Sequence, residues 1–99
     1  MSNSSIRVVA RVIALPDKVE RVKAVLLELI EPTRQEKGCI QYELWHNQAD
    51  PTDFTFVEEW TNKDALDAHL TSAHLQAAEQ KIEGLVASAP DIRIYERLM

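Results

Sequence analysis

Residues 58–76 read EEWTNKDALDAHLTSAHLQ, holding one of the chain's two tryptophans and two of its three histidines. Histidine titrates at about 6.5 and so suits proton transfer near neutral pH. His69 is the best candidate general base. It falls on the inner stripe of a helix, where a satisfied core histidine is the plainer reading. His74 reads as a rim or capping residue. His46 sits near a strand end and offers less. Glu58 and Trp60 point the same way from one strand. A carboxylate on a face otherwise made of Phe54, Phe56 and Trp60 is costly unless paired or hydrogen-bonded. Arg34 or a helix-terminal N–H can be that partner. Alternatively Glu58 orients a histidine for proton transfer. Trp60 is most simply core, and it can also be the flat wall of a cavity for an aromatic ligand.

Other chemistries are poorly supported. His69 and His74 are five residues apart, about 140° around a continuous helix, so they diverge unless the helix breaks at Thr71 and Ser72. No HExxH motif and no cluster of cysteine with histidine is present, so no metal site is expected. Gly38 and Gly84 are the only glycines, which leaves no loop for a nucleotide phosphate. Ser72 near His74 occupies a cap position, a structural role rather than a nucleophile's. Cys39 stands alone and reads as a small buried hydrophobe in a reducing compartment.

The elements that position these residues follow from periodicity. IRVVARVIA, residues 6–14, is a strand with Ile6, Val8, Ala10 and Val12 on one face. Pro16 and Asp17 open a helix whose stripe is Val19, Val22, Val25, Leu26, Leu29 and Ile30. Pro32 denies a hydrogen bond to the Glu28 carbonyl, so a kink or early end is expected there. Gly38 stops the last turn. In CIQYELWHN, Ile40, Tyr42, Leu44 and His46 share a face. QADPTD is a turn, and FTFVEEWT is the next strand, making a hairpin. Thr61 is the expected cap of the next helix, with Asp64 three residues on. Ala65, Leu66, His69 and Leu70 form its stripe. Ser72 restarts a second piece with Leu75, Ala78, Ile82 and Leu85 inward. DIRIYERLM alternates as a last strand.

The order β-α-β-β-α-β specifies an α+β, ferredoxin-like fold: a four-stranded antiparallel sheet with two helical segments on one face. At 99 residues the chain is one domain, 1–99, with residues 1–5 expected to fray. A chain this size buries only about 60–65% of its unfolded surface. The second sheet face carries Val9, Ile13, Trp45, Val57 and Tyr95, too apolar to be wholly wet. A homodimer packed through that face is expected. Net charge is −5 and the eleven lysines and arginines are scattered, which argues against nucleic acid and anionic membrane as partners. No window is a membrane span, and the amino terminus lacks the pattern of a signal peptide, so cytoplasm is the default location.

FVEEW followed by ALDAHLTSAHLQ, with TRQEKGCIQYELWHNQADPTDF before it, resembles the antibiotic biosynthesis monooxygenase family from about Ile6 to Glu96. The resemblance implies a dimeric ferredoxin-like α+β barrel. It implies oxidation of quinols or polycyclic phenols by molecular oxygen with no metal, flavin or other cofactor, the substrate anion itself supplying the electron. The family's Glu-x-Trp pattern falls on Glu58 and Trp60, and its paired histidines fall on His69 and His74. By this resemblance His69 accepts a phenolic proton, Trp60 lines the cavity wall, and Tyr42 or Arg34 steadies the oxyanion. Phe56 and His74 complete the expected pocket. Haem-degrading members use a first-strand asparagine, which this first strand lacks. A non-oxidative isomerase or a small-molecule-binding stress protein on the same scaffold is the alternative.

Overall fold

A computed structural model describes residues 5–99; the expected fraying falls largely on residues 1–4, outside the described residues. The elements are β1 (Ile6–Ile13), α1 (Val19–Glu28), α2 (Ile30–Arg34), β2 (Cys39–His46), β3 (Asp53–Trp60), α3 (Lys63–Leu70), α4 (Ala73–Ile82) and β4 (Asp91–Glu96). The strand order is β2-β3-β1-β4, with every neighbouring pair antiparallel. This is the ferredoxin-like βαββαβ plan, with each helix split into two pieces.

One face of the sheet and both helical arms share a single core. Val8, Ala10 and Val12 of β1 and Phe54, Phe56 and Trp60 of β3 meet Val22 and Leu26 of α1, Leu66 of α3 and Ile82 of α4. The period-two pattern of β3 therefore puts Glu58 inside with its neighbours on either side. The opposite face is less covered: Trp45 is 59% and Tyr95 47% exposed. All of β4 is exposed, including Ile92 and Ile94.

Each break in the helical arms has a local cause. Pro32 has no N–H for the Glu28 carbonyl, and α1 gives way to α2 at Leu29, whose amide turns back to the Leu26 carbonyl at 3.1 Å. Ser72 caps α4 by accepting from the Leu75 amide, so the second arm restarts where expected.

Three local expectations are corrected. Pro16 and Asp17 form a turn, and α1 starts at Val19 without a side-chain cap. Asn62, not Thr61, caps α3, accepting from the Ala65 amide at 2.9 Å. Ile40 does not share the inner face with Tyr42. The register slips between Cys39 and Gln41, and Ile40 bulges outward at 53% exposure.

Candidate functional site

β3 supplies the first two groups. Trp60 is completely buried, and its Nε1–H donates to Glu58 Oε1 at 2.9 Å. Neither Arg34 nor a helix-terminal N–H reaches that carboxylate, contrary to the expected pairing. Its one partner among the described residues is neutral. Burial, opposed by the Trp60 N–H and aided by the Glu36 charge, raises the Glu58 carboxyl from 4.5 to about 7. Glu58 can therefore take or give a proton at neutral pH.

β2 lies beside β3 and sets Tyr42 directly across from Glu58. Tyr42 is 2% exposed, with its ring 5.0 Å from that of Phe56. Burial, then the Glu58 charge, pushes its phenol far above the usual range. The hydroxyl therefore stays protonated, with the Thr33 side chain beside it.

α3 brings His69 over these groups. Its ring lies 4.7 Å from that of Trp60 and meets Tyr42 edge-on at 5.5 Å. Nδ1 lies 2.8 Å from Glu36 Oε2. A carboxylate there selects the Nδ1–H tautomer. Nε2, with no hydrogen-bond partner among the described residues, is left as an acceptor. Burial lowers the His69 pKa despite the hydrogen bond and charge of Glu36, which favours the neutral ring.

The break between α3 and α4 turns the second histidine back toward the first. His74 Nε2 lies 2.6 Å from the same Glu36 oxygen, and the two imidazole rings are 6.2 Å apart. Glu36 thus joins both histidines. No periodicity in the sequence singles Glu36 out, because TRQEKG is polar throughout. The one local signal is Gly38, which has φ +88° and lets the turn pack onto α3. There the Thr61 amide donates to the Gly38 carbonyl at 2.9 Å.

A cavity lies between sheet and helices. Val8 and Ala10 of β1, Leu26 of α1 and Ile82 of α4 are among its apolar walls, with Phe56. Its polar groups are Tyr42, Glu58, His69 and Glu79, and Pro90 and Ile92 stand at its exposed side. The volume is about 60 Å³. An apolar cavity that holds benzene is about 150 Å³, so a ring enters only if side chains or the α4 arm give way.

The structure thus gathers Glu58, His69, Tyr42 and Phe56 around one space. Three other expected site residues lie elsewhere. Trp60 is behind Glu58 and His69 rather than on the cavity wall. Arg34 donates from Nε and Nη2 to the Tyr42 backbone carbonyl at 3.1 and 2.9 Å, tying α2 to β2. His74 stands outside the cavity, toward α1. His46 stacks on Phe54 at 4.4 Å and donates from Nε2 to the Pro51 carbonyl, a structural role. Burial raises the Cys39 thiol, so it is not a thiolate nucleophile.

Known proteins share this arrangement of elements. A Pseudomonas aeruginosa protein of known structure superposes with a TM-score of 0.92 at 27% identity, covering 100% of this chain and 99% of that one. A structure described as an antibiotic biosynthesis monooxygenase superposes at 0.89 with 30% identity, covering 95% and 99%. An uncharacterized Synechocystis protein is 36% identical over 81 residues, 82% of this chain. The match spans 55% of that relative's length. The sequence profile of the antibiotic biosynthesis monooxygenase family matches residues 5–81, and the chain belongs to that family.

Proposed function

We propose that this protein is a cofactor-independent monooxygenase that oxidises a quinol-like or phenolic small molecule with molecular oxygen. One observation carries the reading: two buried proton acceptors, Glu58 and His69, line one apolar cavity together with Tyr42. His69 Nε2 takes the phenolic proton, with Glu58 as the second acceptor. The Tyr42 hydroxyl donates to the resulting oxyanion, and the dry walls strengthen that hydrogen bond. Trp60 positions Glu58 and His69 rather than touching substrate.

The electron count closes without an added reductant. A quinol plus O2 gives a hydroxyquinone plus water. One oxygen atom enters the ring and the other leaves as water, with all four electrons drawn from the substrate. Removal of the phenolic proton makes the substrate a better electron donor, which is the protein's part in the step.

A homodimer through the open sheet face belongs to the same proposal. It is supported by Trp45 and Tyr95 on that face and by the uncovered β4 edge. Sedimentation of the purified protein tests it; a monomer at micromolar concentration would refute it.

The cavity's small size favours a second reading, a non-oxidative isomerase or binding protein for a compact ligand, in which the same acceptors move a proton without oxygen. Oxygen uptake separates the two. Metal-free protein is mixed with a panel of hydroquinones in an oxygen electrode, with an active family member as control. Uptake that disappears in His69→Ala supports the monooxygenase. No uptake across the panel while the control works rejects it.

A further inference from the structure

We propose that Glu36, His69 and His74 form a binding site for a divalent transition-metal ion, with zinc the ion their chemistry favours. The three donor atoms come from separate segments, the α2–β2 turn, α3 and α4, yet lie within 4.8 Å of one another. Both imidazoles converge on one carboxylate oxygen, at 2.8 and 2.6 Å. Two histidines and a carboxylate, with a fourth position left for water, is a donor set that zinc accepts.

Donors about 2.1 Å from a tetrahedral ion stand roughly 3.4 Å apart. Glu36 Oε2 must therefore retreat by about 0.6–0.8 Å from each ring nitrogen, within the reach of a small side-chain rotation. The two ring nitrogens, with all three donor atoms within 4.8 Å of one another, must close by up to about 1.4 Å, which a turn of the partly exposed His74 side chain supplies. The site is also reachable, because the His74 side chain is 27% and that of Glu36 15% exposed, while His69 is enclosed at 3%. Glu79 adds a negative charge near His69.

Occupancy has a consequence for the cavity. An ion on His69 Nδ1 moves the ring proton to Nε2, so the cavity's acceptor becomes a donor. Metal binding and proton abstraction by His69 then exclude one another. That consequence rests on the function proposed above; the binding itself does not.

The test is calorimetric titration of chelator-stripped protein with zinc chloride, with the visible spectrum of the cobalt form as a second readout. One ion per chain is expected, with intense tetrahedral cobalt bands. Binding should weaken at least about tenfold in Glu36→Gln and in His74→Ala, and stay unchanged in His46→Ala. Circular dichroism of each variant separates ligand loss from unfolding. Absence of saturable binding, or equal affinity in folded Glu36→Gln and His74→Ala proteins, overturns the proposal. If zinc binds as expected but no hydroquinone turns over, the metal site stands and the monooxygenase reading falls.

Discussion

Trp60 and Glu58, two residues apart on one face of β3, are joined by an N–H···O bond of 2.9 Å that is the carboxylate's one hydrogen bond among the described residues. A buried acid with a neutral partner has its charge only partly compensated. The indole donor therefore sets how far burial raises the Glu58 pKa. Trp60→Phe should raise it above its present value of about 7, read by isotope-edited titration of the carboxyl carbon. The variant should also lose on the order of 2–4 kcal/mol of stability to the lost donor and the space left behind. An unchanged pKa in a folded variant would show that the indole does not tune this acid.

Glu58 also gives stability a definite pH dependence. Its pKa is raised from an ordinary 4.5 to about 7 in the folded chain. Below 4.5 the group is protonated in both states and costs nothing. As pH rises from 4.5 through 7, the unfolded chain ionises first, and stability is lost. The full loss is of order 3 kcal/mol above pH 7. His69 works in the opposite direction, because burial lowers its pKa and stability then rises up to its ordinary value. The difference between wild type and Glu58→Gln isolates the carboxyl. Urea denaturation at pH 5 and pH 8 should show the wild type losing more stability than the variant, and equal losses would contradict the buried acid.

If His69 is the proton acceptor, His69→Asn should lower oxygen uptake by about 10²–10⁴-fold, the usual scale for a general base. Its effect on kcat should exceed that on KM, since the proton moves in the transition state. Arg34→Ala should be milder. Its guanidinium holds the Tyr42 backbone rather than the cavity, so a loss of stability with kcat within about threefold is expected. A kcat collapse in folded Arg34→Ala would return Arg34 to the site.

Alternation and helical spacing made most of the scaffold legible in the sequence. The period of two in DFTFVEEW put Glu58 and Trp60 on the face they occupy, and the period of 3.6 put His69 inward. Ser72 announced the helix restart through cap chemistry. The missed features are tertiary. No pattern within TRQEKG ties Glu36 to histidines 33 and 38 residues away, because that contact exists only after two helical arms dock. The Ile40 bulge was hidden for a related reason. Alternation counts residues in one strand, whereas a bulge is a mismatch between two. Trp60 was legible as inward-facing, but its place behind His69 instead of on the cavity wall depended on the depth at which α3 packs.

The last expectation concerns the turn that delivers Glu36. Gly38 and Gly84 both have positive φ, +88° and +81°. A side chain at either pays backbone strain of about 1 kcal/mol or more. Their surroundings differ. A Cβ at Gly38 would stand 2.5 Å from the Ala65 Cβ and 2.7 Å from Thr61 Oγ1, at the start of α3, whereas a Cβ at Gly84 meets nothing within 4 Å. Gly38→Ala must therefore push the turn away from α3, adding about 1–3 kcal/mol of overpacking to the strain. Because Glu36 precedes this turn by two residues, the same displacement should lengthen its contacts to His69 and His74. Chemical denaturation should rank Gly38→Ala well below Gly84→Ala. The imidazole nitrogen shifts should also move away from the Nδ1–H form of His69 in Gly38→Ala alone. Equal stabilities for the two variants would mean that the turn does not depend on its close approach to α3, and unchanged imidazole shifts would mean that Glu36 is held in place by something other than Gly38.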